Sequence, residues 1–432
     1  MHPRRILLLI LILLVDAKAQ QIIFSIPTME RSIMDSVRVK NVAIVKQGSF
    51  FTKQYRNLFV DVLGKSEKEV QAKVDKAFQQ LFYGDENSQR IYYAVKPDMA
   101  YILDAFQNDV RTEGISYGMM IAVQMNKKEE FDRLWKWAKT YMQHKDGERR
   151  GYFAWCVKAN GEIIDPNTAS DGEEWIVTAL FFASHRWGDG EGIFNYKAEA
   201  QAILDAMLSK SNLFDGSDAI TNLFDERTKL IVFSPIGTAA RFTDPSYHVP
   251  HFYELWALWA DKNNNFWKEV AQASREFLKR TVHPKTGLAP DYANFDGMPV
   301  DPWGSGSDNF RYDAWRVAMN VAINYEWFAK GDTEWGRWAE EQSNRWLDFF
   351  YSQGIGKYAS LFTLDGKSLT TDHSPGLVAM NAVATLASNR EYCKEFLKEF
   401  WHIPIPDGQF RYYDGMLYML GLLQVSGNFR IY

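Results

Sequence analysis

The chain is poor in cysteine, with only Cys156 and Cys393 in 432 residues. That excludes a disulfide framework and a thiolate metal cluster, and leaves open whether the two pair. Apolar runs are short as well. The longest, Ile6 to Val15, is about half of the roughly 20 residues needed to span a bilayer. There is no long basic run and the net charge is −5, so a phosphate-neutralising nucleic-acid surface is excluded, whereas a neutral polymer meets no electrostatic objection. A sequence repeat of fixed period is also missing, which argues against an open solenoid. Aromatic side chains are what the chain has in excess: 15 Trp, 21 Tyr and 29 Phe make up 15% of it. Such richness suits stacking on ring-shaped ligands, although large cores consume aromatics too.

Arg4 and Arg5 precede the apolar run, and Ala17-Lys18-Ala19 follows it. This order predicts a secretory signal over residues 1–19 and a mature protein that is secreted or periplasmic, with no membrane association once the signal is removed. Residues 20–60 alternate apolar and polar in places and read as a lead-in. From residue 61 to 432 one helical domain is expected. Ser66 and Glu69 form a capping-box pair, Val70, Val74, Phe78 and Leu81 follow at helical spacing, and Gly84 stands where a C′ residue would. Helical periodicity then recurs over 113–125, 129–143, 171–187, 196–209, 250–260, 266–280, 312–329, 333–351, 375–387, 390–400 and 412–424. Turn signals such as Asp146-Gly147 and Gly304-Ser305-Gly306 separate them. Twelve helices in pairs, with little strand pattern, predict an all-α fold, a closed (α/α)6 barrel of six helical hairpins.

Three helix starts carry carboxylates beside glycine and aromatics: Arg111 to Met119 with Glu113, Ala169 to Trp175 with Asp171, and Phe310 to Arg316 with Asp313. One acidic residue in a first turn is ordinary capping. Three such starts, brought to one face by a helical barrel, supply what glycosidic hydrolysis needs: a carboxylic acid kept neutral and a second group kept ionised.

The segments Thr112-Glu113-Gly114-Ile115-Ser116-Tyr117-Gly118-Met119, Ala169-Ser170-Asp171-Gly172-Glu173-Glu174-Trp175, Asp244-Pro245-Ser246-Tyr247 and Tyr312-Asp313-Ala314-Trp315-Arg316 together resemble the family 8 glycoside hydrolases, in the family's order, from about residue 90 to 425. The resemblance implies an (α/α)6 barrel and inverting hydrolysis of β-1,4 glycans without a cofactor or metal. It implies Glu113 as general acid, Asp313 as general base and Asp171 as a third carboxylate beside the sugar under attack. Arg316 would hold Asp313 charged, Trp155 would stack on a sugar ring and Tyr247 would reach the central subsite. Glu173 and the short Ala314-Trp315-Arg316 segment resemble the xylan-active branch. Asp372-His373-Ser374-Pro375-Gly376-Leu377 resembles its reducing-end xylose-releasing exo-oligoxylanases, in which a loop near this histidine walls off the groove. The expected partner is a xylo-oligosaccharide, with no obligate protein partner indicated. An endo-β-1,4-xylanase or another β-1,4-glucanase of the same family remains open, as does a non-catalytic secreted glycan-binding protein.

Gly114-Ile115-Ser116-Tyr117-Gly118 matches a serine-hydrolase elbow, but the strand that must precede it is missing. His248, His251 and Glu254 have metal-like spacing, which Pro250 spoils by starting the helix between the histidines. Asp261, Asn263 and Asn265 open like a calcium loop, yet Phe266 stands where glycine is required.

Overall fold

The computed structural model describes residues 48–210, 219–329 and 333–432. The expected signal over 1–19 and the lead-in up to residue 47 lie outside the described residues. Twelve main helices are present: α1 Glu67–Tyr83, α2 Thr112–Gln124, α3 Lys128–Tyr141, α4 Ser170–Trp187, α5 Tyr196–Met207, α6 Pro250–Trp259, α7 Asn264–Thr281, α8 Arg316–Asn324, α9 Glu334–Gln353, α10 Pro375–Ala384, α11 Cys393–His402 and α12 Arg411–Val425. The capping box at the start of α1 forms, with the Glu69 amide donating to Ser66 Oγ at 3.2 Å and the Ser66 amide to Glu69 Oε2 at 2.9 Å. Gly84 ends that helix in an extended conformation, φ −68°, and not in the left-handed one that a C′ glycine adopts.

Packing follows composition. The even-numbered helices contact one another in a closed cycle, α2 on α4, α4 on α6, α6 on α8, α8 on α10, α10 on α12 and α12 back on α2. Each odd-numbered helix from α3 to α11 packs on the even-numbered helix before it, and α1 packs on α12. This is the (α/α)6 barrel. Inner helices are apolar all round, outer ones along one stripe. In α2 every residue except Glu113 is buried, whereas α3 buries only Phe131, Leu134, Trp135, Trp137 and Ala138. Small residues let the inner ring close. A Cβ on Gly172 would lie 2.5 Å from Thr112 Cβ, and one on Gly114 would lie 2.7 Å from the Tyr412 ring. The first glycine sets the α2–α4 approach and the second the α12–α2 approach.

Two departures from the sequence pattern stand out. The helix expected over 312–329 breaks into a 3-10 turn, Asp313–Trp315, then α8, then a π-helical turn, Tyr325–Ala329. The turn at Asp313 forms because the Ala314 amide donates at 3.0 Å to Asp291 Oδ1, a side chain outside the helix. Within 48–60, the described part of the expected lead-in, Ser49–Thr52 and Leu58–Asp61 are one-turn helices packed on the barrel. Arg56 pairs with Glu326 at 2.7 Å there, and Phe59 is fully buried. Strands are short: Tyr92–Lys96 with Met99–Ile102, a ladder of Val110–Arg111, Cys156–Val157 and Ile163–Asp165, and Phe242–Thr243 with Ala293–Asn294. Cys156 and Cys393 are both free thiols. Among the described residues no helix is long and apolar enough to cross a membrane.

Candidate active site

Closing the ring gathers even-numbered helix starts that are far apart in sequence. Glu113 and Asp171 sit in the first turns of α2 and α4, Tyr247 in a 3-10 turn just before α6, Asp313 and Arg316 at the entry of α8, and Tyr412 at the start of α12. Arg316 ties them together and is itself 2% exposed. Its Nη1 donates to Glu113 Oε2 at 2.9 Å, Tyr117 Oη at 2.7 Å and Asp171 Oδ2 at 3.1 Å. Its Nη2 donates to Asp313 Oδ1 at 2.7 Å and lies 3.9 Å from Asp244 Oδ2. Glu113 and Asp313 are therefore held by the two ends of one planar guanidinium, a bidentate geometry that lysine could not supply.

The two carboxylates differ in surroundings. Glu113 has an 18% exposed side chain and Asp313 a 29% exposed one. Burial pushes the Glu113 carboxyl above its ordinary range and the Asp313 charge adds to the rise, against the pull of Arg316 and of the Tyr412 hydroxyl, which donates to Oε1 at 2.9 Å. Asp171, more deeply buried, is pushed up to about 7 by desolvation, again opposed by Arg316. Its second oxygen, Oδ1, has no hydrogen-bond partner among the described residues. Asp244 and Asp291, buried beside Asp313, are both shifted well upward by desolvation.

One cavity is lined by this cluster and a second lies beside it. The first, of about 640 Å³, is lined by Glu113, Asp171, Asp313, Trp155, Tyr247 and Trp303 among others. Trp155 is carried by the strand ladder, its carbonyl accepting from the Thr112 amide at 3.0 Å, so the indole is placed by the helix that bears Glu113. The Arg111 guanidinium lies 5.6 Å from its ring centre. The second cavity, of about 480 Å³, is lined by Tyr312, Tyr412, Tyr413 and Asp372 to Pro375. Tyr312 adjoins Asp313 and Tyr412 bonds Glu113, so the second cavity lies next to that pair.

His373 lines the second cavity with both ring nitrogens bound inside the protein, Nδ1 to the Tyr358 carbonyl at 2.7 Å and Nε2 to Glu399 Oε1 at 2.9 Å. Burial disfavours its charge, but the Glu399 and Tyr358 bonds outweigh that and raise its pKa. The neighbouring chain is stitched down by Ser360, whose Oγ donates to the Asp372 carbonyl and accepts from the Ser374 amide, each at 2.8 Å, and by the Ser374–Asp414 hydrogen bond.

Other sequence candidates lie apart from this chemistry. Ser116 Oγ donates to the Glu113 carbonyl at 2.9 Å inside α2, the position of a helix-packing hydroxyl. His248 bonds Thr243 and Ser274, each at 3.0 Å, His251 packs against Phe252 and Trp327, and Glu254 pairs with Arg275 at 2.6 Å, so the three do not converge. The sequence reading missed Tyr412, Tyr117 and Asp291. For Tyr412 the available signal was its place at the start of the last helix, in register with the other inner starts.

The model of the glycosyl hydrolases family 8 matches residues 101–427, and the chain belongs to that family. The reducing-end xylose-releasing exo-oligoxylanase Rex8A of Paenibacillus barcinonensis is 45% identical over 90% of this chain and 100% of its own length. The reducing end xylose-releasing exo-oligoxylanase of Halalkalibacterium halodurans is 44% identical over 89% of this chain and 96% of its own. A family 8 xylobiose complex from Teredinibacter turnerae superposes with a TM-score of 0.84 at 44% identity, covering 89% of this chain and 99% of that one. A xylanase catalytic mutant in complex with xylohexaose, from the same organism, gives the same values.

Proposed function

We propose that this protein hydrolyses β-1,4-xylo-oligosaccharides with inversion and releases xylose from the reducing end. The observation that carries the chemistry is the pairing of Glu113 and Asp313 across Arg316, in the wall of the first cavity and next to the second. With a sugar chain threaded through both, Glu113 gives its proton to the glycosidic oxygen as the bond breaks. Asp313 takes a proton from a water that attacks the anomeric carbon from the opposite face. Water's hydroxyl goes to the anomeric carbon, and the released sugar leaves with the Glu113 proton. A buried acid with a raised pKa and a base paired with a cation are the two states this step requires. Asp171 and Tyr247 line the cavity beside the centre, and the unpartnered Asp171 Oδ1 is an acceptor available to a sugar hydroxyl.

The stitched segment from Asp372 to Ser374 favours exo action, since a fixed wall on the second cavity limits the leaving side to one sugar. Likeness to the Teredinibacter turnerae xylanase keeps endo cleavage as the second reading. Xylotetraose labelled at its reducing end separates them: labelled xylose and unlabelled xylotriose as sole early products support the proposal, and early labelled xylobiose makes the enzyme an endoxylanase. No turnover of any β-1,4-xylan would leave a glycan-binding protein. We also infer export directed by residues 1–19, which N-terminal sequencing of the mature protein tests.

A further inference from the structure

Asp171 is followed on the first turn of α4 by two fully buried glutamates, Glu173 and Glu174. Glu173 accepts from the Phe153 amide at 2.9 Å, which anchors the chain two residues before Trp155. Glu174 points the other way, and its Oε1 bonds the hydroxyl of Tyr253 on α6. The same hydroxyl lies 3.1 Å from the backbone carbonyl of Tyr247.

The Tyr253 hydroxyl has one hydrogen and two acceptors in reach, Glu174 Oε1 and the Tyr247 carbonyl, and the carbonyl can only accept. Each contact is served by its own hydrogen only when Glu174 carries one and gives it to the Tyr253 oxygen. Its surroundings agree. Glu174 Oε2 has no hydrogen-bond partner among the described residues, and Asp171 and Glu173 on the same turn disfavour another negative charge. Around the pair stand Tyr247, Ser274 of α7 and His248, a histidine kept neutral by burial, while Arg316 of α8 is the cation that bears on Glu174. An ionised carboxylate left with a single neutral donor would be costly in such a place.

We propose that Glu174 is a positioning residue: held as a neutral carboxylic acid, it donates to Tyr253, which donates to the Tyr247 carbonyl and so sets the height of the Tyr247 ring in the central subsite. This rests on the reading that Tyr247 contacts the sugar under attack. Burial, which lifts the Glu174 pKa well above the ordinary carboxylate range, agrees with it.

Kinetics and melting of Glu174→Gln and Tyr253→Phe test the proposal. A glutamine amide donates to Tyr253 as the neutral acid does, so E174Q keeps the wild-type kcat and KM. Y253F keeps the packed ring but removes the donor to Tyr247, and its kcat falls roughly 3- to 10-fold with KM nearly unchanged. In the unfolded chain Glu174 ionises in the ordinary range, while in the fold it keeps its proton. The unfolded state then binds fewer protons, and wild-type stability falls as pH rises from that range toward the raised folded pKa. E174Q carries no such proton, so its melting temperature gains on wild type between about pH 5 and about pH 8. The proposal is overturned if E174Q loses as much kcat as Y253F, if Y253F is unchanged, or if wild type gains on E174Q with rising pH. Tyr247→Ala with unchanged kcat would instead remove the subsite reading, leaving the melting result to judge Glu174 alone.

Discussion

The cavity lined by Trp155 and Tyr247 and the one lined by Tyr312 and His373 flank the same two carboxylates, yet they are bounded in different ways. In the first, the two aromatic walls are tied to the ring of helices, since Trp155 hangs from the Thr112 amide and the Tyr247 carbonyl accepts from Tyr253, while Phe233 to Ala239 close part of the rest. In the second, part of the boundary is a loop, Asp372 to Ser374, that is held by bonds to Ser360, Tyr358, Glu399 and Asp414. One side offers free acceptors and an indole to several sugar rings, and the other offers a fixed stop. On the proposed reading, reaction chemistry and reach are separable in this molecule, because Glu113 and Asp313 line the first cavity and His373 lines the second.

The largest effect should come from breaking what the cavities share. Glu113→Gln or Asp313→Asn is expected to lower kcat by roughly 10²- to 10⁴-fold on every substrate length, with oligosaccharide binding by calorimetry retained. A loss confined to long or to short substrates would place the residue in one cavity instead of the centre. Next in size is the stop itself. His373→Ala combined with Asp372→Gly leaves Glu399 bonded to the Gly356 amide and the Tyr358 hydroxyl, each at 2.8 Å, so the fold should survive. Relaxing the rejection of a second leaving-side sugar by about 1.4 kcal/mol would move the xylobiose-to-xylose ratio tenfold. If products from labelled xylotetraose do not change, the wall lies elsewhere. A smaller, one-sided effect is expected of Trp155→Ala: KM rises roughly 2- to 10-fold through lost stacking while kcat stays close to wild type.

Much of this arrangement was legible before the structure. The inner helices announce themselves by apolar residues on all faces, as in Ile115 to Val123, and the outer ones by a stripe, as in Phe131, Leu134, Trp135 and Ala138. Acidic helix starts at Glu113, Asp171 and Asp313 were visible too, because first-turn carboxylates stand out against apolar runs. What stayed hidden depends on closure. Tyr412 reaches Glu113 across 299 positions of sequence, and only the contact of α12 with α2 brings them together. Asp291 lies in an irregular stretch and matters because it captures the Ala314 amide, which no helical period encodes. The packing of 48–60 escaped for a similar reason: Arg56 is meaningful only beside Glu326.

The subtlest prediction concerns Tyr412, the point where the second cavity touches the acid. Its hydroxyl donates to Glu113 Oε1, a bond that favours the ionised carboxylate and works against the desolvation that raises the Glu113 pKa. Removing it in Tyr412→Phe takes away only the stabilisation of the charged form, so the acid should hold its proton to higher pH. Activity that depends on protonated Glu113 is lost as pH rises through that pKa, and the alkaline limb of kcat/KM should therefore move upward in the variant. A hydrogen bond to a charged group is worth about 1.5–3 kcal/mol, and only its excess over the bond to the neutral acid counts, which sets the displacement at no more than about two pH units. If the alkaline limb moved down instead, Tyr412 would be stabilising the protonated acid, and the second cavity would be helping to keep Glu113 neutral instead of opposing it.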